Sequence, residues 1–185
     1  MSAGNLGFSL NKDYGKYLGS AMMIGFGVIA LYRWHQTQLM FFLLLVLRDF
    51  AAGYFFLKRK PSRSEGGLIP SVLAYVSSAM PLLYLGPAVD TKSLLLVSDL
   101  LAISGFLIVV FATIELGVSI GISPANRGLV SSGIYRHIKH PMYLGYAISE
   151  TGLALLNPIN AALLVISLSF YLLRANLENK VFKMI

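Results

Sequence analysis

The run from Gly133 to Tyr146 (Gly-Ile-Tyr-Arg-His-Ile-Lys-His-Pro-Met-Tyr-Leu-Gly-Tyr) gathers polar and catalytically useful side chains at the start of a long apolar segment. Pro141 fits the first turn of a helix, where its missing N–H costs nothing and its fixed backbone angle is already helical. That puts His140 at or beside the helix cap. The unpaired N–H groups of such a turn form a weakly positive cradle for a carboxylate or phosphate, and Gly145 lets a ligand or a helix approach the backbone. Tyr135, Tyr143 and Tyr146 offer aromatic faces and hydroxyls that suit an adenine ring or a cationic sulfur. A nucleotide-like ligand fits this set. A plain helix start at membrane headgroup level fits it too, since Tyr, His and Lys are common there.

A second constellation lies near the end of the chain. Arg174 and Glu178 are spaced to share one helix face, so they can pair with each other or hold the two ends of a zwitterionic amino acid. Arg48, Asp49, Asp99 and Glu150 fall inside apolar blocks, where charges are expensive and default to a paired or functional role. Adjacent helical residues point about 100° apart, so Arg48 is expected to bond Asp99 or Glu150 across helices rather than Asp49. Glu115 ends an apolar block close to the His-Pro run. His137 and His140 could share a helix face, but His35 is the only other histidine, so no metal site is expected. The chain has no cysteine, which excludes disulfides, a thiol nucleophile and Cys-ligated metals. Gly25 and Gly27 lie in an apolar block with no preceding strand and are not a dinucleotide fingerprint. With Gly15, Gly19, Gly117 and Gly121 they are expected to permit close helix packing. The stretch from Gly117 to Gly133 reads equally as a lid over the ligand or as an ordinary linker.

The elements that must position these residues are membrane helices. Of the 185 residues, 56% are hydrophobic and 12% charged, and the apolar ones cluster into blocks of near-spanning length. The blocks are 17–32, 39–57, 68–85 and 94–116, followed by a pair, 141–156 and 159–173, each reaching only about 24 Å at about 1.5 Å per residue. Asn157-Pro158 is a turn signal that leaves no room for a loop. The expected fold is all-α, a polytopic helical membrane protein of about six transmembrane segments with the last two forming a tight hairpin. It forms one integral membrane domain over 1–185, with a bundle at 1–116 and a motif region plus hairpin at 117–185. The first residues lack the basic start and cleavage site of a signal peptide, so the first block is expected to be retained.

Lys and Arg favour the cytoplasmic side of short loops. With six crossings and the amino terminus inside, the inner face receives Lys12, Lys16, Lys58, Arg59, Lys60, Arg63, Arg127, Arg136, Lys139, Arg174, Lys180 and Lys183, and the outer face keeps Arg33 and Lys92. Both termini and the His-Pro run are therefore expected on the cytoplasmic side. This topology and attraction to anionic lipid account for the formal charge of +7 without a nucleic acid partner. Oligomeric state is not legible in the sequence.

The stretch Leu129-Val130 through Gly133-Ile134-Tyr135 to His140-Pro141-Met142-Tyr143-Leu144-Gly145, then an apolar hairpin, then Arg174 and Glu178, resembles the isoprenylcysteine carboxyl methyltransferase and phospholipid methyltransferase superfamily of integral membrane enzymes. The resemblance covers about the last third of the chain. It implies that S-adenosylmethionine binds on the cytoplasmic face at Tyr135, His140, Pro141, Tyr143, Gly145 and Glu178, with Arg174 catalytic. It also implies in-line transfer of the sulfonium methyl to a lipophilic acceptor entering from the bilayer: an isoprenylcysteine carboxylate, a phospholipid amine or a small thiol. The product would be S-adenosylhomocysteine. Three departures stand out. Lys139 replaces the Arg usual before the His-Pro pair, Asn179 follows Glu178 where relatives often carry a second acid, and the sequence ends at Ile185 where relatives usually continue. The His-Pro pattern also resembles the sterol and steroid reductases, which use a reduced nicotinamide. A transporter or structural subunit is the non-enzymatic alternative.

Overall fold

The computed structural model describes residues 14–59, 64–65, 67–89, 91–122, 125–126 and 130–183. They form six α-helices: α1 (Tyr14–Thr37), α2 (Met40–Lys58), α3 (Leu68–Ala79), α4 (Lys92–Leu116), α5 (Pro141–Leu156) and α6 (Pro158–Lys183). A two-residue antiparallel pair, β1 (Ser64–Glu65) with β2 (Ala125–Asn126), joins two loops, Ser64 opposite Asn126. Four helices, α1, α2, α4 and α6, are long and apolar enough to cross a membrane. Large apolar residues such as Leu96, Leu100, Leu107, Phe111 and Ile114 stand exposed along α4. A surface this apolar belongs in lipid.

Two of the expected spans differ from the helices that form. The block 68–85 yields only twelve residues of α3 before Met80–Leu83 tighten into a 3-10 turn. Pro81 lies in the first positions of that turn and has no N–H to continue an α-helical ladder. The last block, expected to stop at 173, instead continues as α6 to Lys183, 26 residues in all. Arg174, Asn176, Glu178 and Lys180 lower hydropathy without breaking a helix, because none of them disrupts the backbone as Pro or Gly would. The hairpin is therefore asymmetric, with a long α6 running beside and beyond the 16-residue α5.

Helix α4 packs most extensively on α5 and α1 on α2, while α5 meets α6, α2 crosses α4, and α3 rests on α6. The α4–α5 contact is built from small residues. A Cβ placed on Gly145 would stand 2.6 Å from the Gly105 carbonyl oxygen, and one on Gly152 would stand 2.7 Å from that of Ser98. Backbones this close gain dispersion contact that larger side chains would forbid. Of the glycines expected at helix contacts, Gly19 faces Phe56, and Gly27 meets Asp49 and Phe50. Gly25 has nothing within 4 Å, and Gly117 caps α4 with φ 46°, a conformation that favours glycine.

The turn between α5 and α6 is clamped to the chain that follows α3. Asn157 accepts from the Ile159 N–H at 3.0 Å and donates to the Gly86 carbonyl at 3.0 Å. Asn160, fully buried, accepts from the Leu85 N–H at 2.8 Å and donates to the carbonyls of Leu85 and Leu153. In lipid a backbone group without a partner is costly, and these two asparagines satisfy several at the tightest bend of the fold.

Candidate functional site

Pro141 occupies the first turn of α5, and His140 is its N-cap residue, as the sequence predicts. The His140 side chain does not cap the helix. It turns toward α6, where Nδ1 lies 3.5 Å from Glu178 Oε2 and Nε2 lies 3.3 Å from Asn179 Oδ1. Tyr143, one turn further along α5, donates its hydroxyl hydrogen to Glu178 Oε1. Two stretches far apart in sequence thus meet through one carboxylate.

The tyrosines continue the cluster inward. The Tyr143 ring stacks on His140 at 5.6 Å and on Tyr171 of α6 at 5.5 Å, with planes 22° and 7° apart. Tyr146 tilts against Tyr171 at 6.0 Å. Tyr171, Arg174 and Glu178 recur at helical spacing and so share one face of α6, a pattern readable from sequence that marks Tyr171 as a member of the site.

Arg174 does not pair with Glu178. Its Nη1 donates to the hydroxyls of Ser77 at 3.0 Å and Ser78 at 3.3 Å, and its Nη2 to the Ile122 carbonyl at 3.0 Å. Its guanidinium lies 5.1 Å from the centre of the Tyr143 ring, and its Nε is buried without a hydrogen-bond partner. Arg174 therefore ties α3 and the loop after α4 onto α6. Nothing in the chemistry of Ser77 and Ser78, two ordinary serines in an apolar block, signals this role in advance.

These groups border a cavity of about 360 Å³. His140, Tyr143, Glu178, Tyr135 and Arg174 line it, as do Asn179, Tyr146, Tyr171 and, from α2, Arg48. Pro141 and Gly145 do not: Pro141 is buried at the helix start, and Gly145 spends its missing side chain on the contact with α4. Within the 117–133 stretch, Ser119 to Ile122, Val130 and Ser131 form one wall. Glu115 accepts a hydrogen bond from Ser132 at 2.9 Å and holds the start of the 3-10 turn Gly133–Arg136 that carries Tyr135. Burial, then the negative Glu178, keeps the Tyr135 hydroxyl protonated well above the usual phenol range, with Tyr146 and Glu115 adding to the effect.

The expected partner of Arg48 is not found. Its Nε lies 2.8 Å from Oδ1 of the adjacent Asp49, while Glu150 accepts from Tyr171 at 2.6 Å and Tyr84 at 3.0 Å. The 100° offset between neighbours is bridged because the flexible arginine stem can bend back along its own helix.

The sequence profile of phospholipid methyltransferases matches residues 93–185. The chain belongs to the phospholipid methyltransferase family. Neither curated proteins nor solved structures returned a match. For this phospholipid methyltransferase family member, the matched region starts one residue into α4 and includes every cavity residue contributed by α5 and α6. Arg48, Phe56, Ser77 and Ser78 lie outside it, so the half of the chain beyond the family match completes the cavity wall. Family membership assigns methyl transfer at a membrane at the level of the family, and the apolar helices agree with an integral membrane protein.

Proposed function

We propose that the cavity binds S-adenosylmethionine and that the protein methylates a lipophilic acceptor reaching it from the bilayer. The observation that carries this reading is the meeting of His140 and Tyr143 with Glu178 at the wall of one cavity. The donor set suits the ligand. Glu178 and Asn179 present carboxylate and amide oxygens to an amino or ribose group, and the first-turn N–H groups of α5 favour a carboxylate. The Tyr143, Tyr146 and Tyr171 rings favour a flat base or a sulfonium. When bound, S-adenosylmethionine supplies an electrophilic methyl group.

The residues of this chain have a restricted task. Tyr143 and His140 orient Glu178; Arg174, by holding α3 and the Ile122 loop, closes one side against water; the aromatic walls align the reactants. Alignment alone can supply on the order of 7 to 11 kcal/mol in good cases. This is a positioning role for Arg174 rather than direct contact with the reacting atoms. The acceptor is an isoprenylcysteine-like carboxylate, a phospholipid amine or a small thiol.

Titration calorimetry of the purified protein tests the reading. S-adenosylhomocysteine should bind and reduced nicotinamide should not; the reverse would favour the reductase alternative. The charge distribution supports a cytoplasmic site with both termini inside. In intact cells a cysteine introduced at Thr91 should be labelled from outside and one at Ser64 should not, and external labelling at Ser64 would reverse the orientation.

A further inference from the structure

Glu150 is a fully buried acid that the cluster around Glu178 does not use. It lies on α5 about 14 Å beyond Pro141 by helix rise, deep in the bundle. Its two oxygens accept hydroxyl groups from two directions: Tyr171 of α6 at 2.6 Å and Tyr84, from the chain after α3, at 3.0 Å. Among the described residues no basic side chain forms an ion pair with it. Arg48 acts on it from a distance and is already balanced by Asp49 at 2.8 Å.

Packing alone does not call for this arrangement. Apolar side chains of similar shape at positions 84, 150 and 171 would leave no buried polar group of the trio unsatisfied, at little cost. An acid at membrane depth defaults instead to a functional role. Tyr171 lines the cavity, so a single phenol ring separates Glu150 from the ligand space. Of the two arginines that border this space, Arg48 has Asp49 beside it and Arg174 has Glu178 one helical turn along α6. Lys139 and His140 stand at the Glu178 end of the cavity, and Lys139 is exposed to water that screens it. Glu150 is the carboxylate left to act on what the inner part of the cavity holds.

S-adenosylmethionine carries a sulfonium charge there, and S-adenosylhomocysteine has the same skeleton without the methyl group and without that charge. At an effective dielectric constant of about 20, opposite charges about 10 Å apart attract enough to change an affinity roughly tenfold. We infer that Glu150, through Tyr171, makes the cavity select the sulfonium ligand over the neutral thioether, holding the methyl donor and releasing the spent product. The inference rests on the methyltransferase reading above and adds to it a residue that reads charge rather than shape.

The test is equilibrium titration of the full chain in detergent with three ligands: S-adenosylmethionine, S-adenosylhomocysteine and the nitrogen isostere of S-adenosylmethionine, whose protonated amine replaces the sulfonium. Both cationic ligands should bind about tenfold more tightly than S-adenosylhomocysteine. Glu150→Gln keeps the size of the side chain and an oxygen for Tyr171 but removes the charge. It should abolish the preference while S-adenosylhomocysteine affinity stays within about twofold of wild type. A purely structural Glu150 would instead weaken all three ligands alike and leave their ratio unchanged, which overturns the proposal. An isostere that binds no better than S-adenosylhomocysteine also overturns it, since charge would not be what is read. Should Glu150→Gln fail to fold, Tyr171→Phe keeps the ring and removes the hydroxyl that links the carboxylate to the cavity wall; an undiminished preference in that variant overturns the proposal. Wild type that binds all three ligands equally rejects the role of Glu150 alone, whereas wild type that binds none of them rejects the methyltransferase reading and this inference with it.

Discussion

Tyr143 on α5 donates its hydroxyl hydrogen to the Glu178 carboxylate on α6, so two helices of one hairpin share a charged hydrogen bond at the cavity wall. The bond fixes one carboxylate oxygen, and His140 approaches the other.

Glu178→Ala and His140→Ala should each weaken S-adenosylhomocysteine binding while the protein still folds. Loss of one charge-assisted hydrogen bond to the ligand costs roughly 1.5 to 3 kcal/mol, about 10- to 150-fold in affinity. Tyr143→Phe should do less, because the ring stack remains and only the orientation of Glu178 is lost. Calorimetric titration checks all three, and unchanged affinity in both alanine variants rejects the site.

Inserting three residues within 167–172 would turn Arg174 and Glu178 by about 300° and shift them roughly 4.5 Å along the axis. Ligand binding should disappear although the protein still enters membranes. Normal binding by this variant would mean that α5 and α6 do not build one site.

Gly145→Leu should act on packing. A side chain there would run into the Gly105 carbonyl and Val109 on α4. Overpacking of this kind costs about 1 to 3 kcal/mol, so the unfolding midpoint in detergent should fall. An unchanged midpoint with lost ligand affinity would instead return Gly145 to the ligand site.

Tyr135 gives a sign for alkaline pH. Its phenol is raised in the folded protein, first by burial and then by Glu178. The unfolded phenol begins to ionise near its ordinary value of about 10, while the folded one holds its proton. The stability it contributes is fully present below that pH and is lost as pH rises toward the folded value. Tyr135→Phe should therefore flatten part of the stability loss above about pH 10 in denaturation measurements; identical wild-type and variant slopes would count against a raised phenol.

Much of this arrangement is legible in the sequence where the signal is local. Pro141 marks a helix start, Asn157-Pro158 a one-residue turn, and together they bring the His-Pro run back to Glu178. The end of α6 is harder to read, because hydropathy reports lipid contact and not helix continuation; Arg174 and Glu178 continue the helix beyond the apolar block. The partners of Arg174 and Arg48 are set by tertiary packing. Ser77 and Ser78 reach Arg174 only because α3 rests on α6, and no spacing within either helix encodes that contact. Likewise Gly105 and Gly152 acquire meaning only once α4 lies against α5.

The clamp at Asn160 acts as a fulcrum. It joins the α5–α6 bend to the Leu85 backbone at the opposite end of α6 from Glu178. Eighteen residues separate Asn160 from Glu178, about 27 Å of helix, so a tilt of only about 5° at the clamp moves Glu178 by roughly 2 Å. That displacement is enough to separate the carboxylate from Tyr143 and His140. Small angular changes at the far end of the bundle are therefore amplified where the cavity lies, and the hydrogen bonds of Asn157 and Asn160 at that bend oppose them.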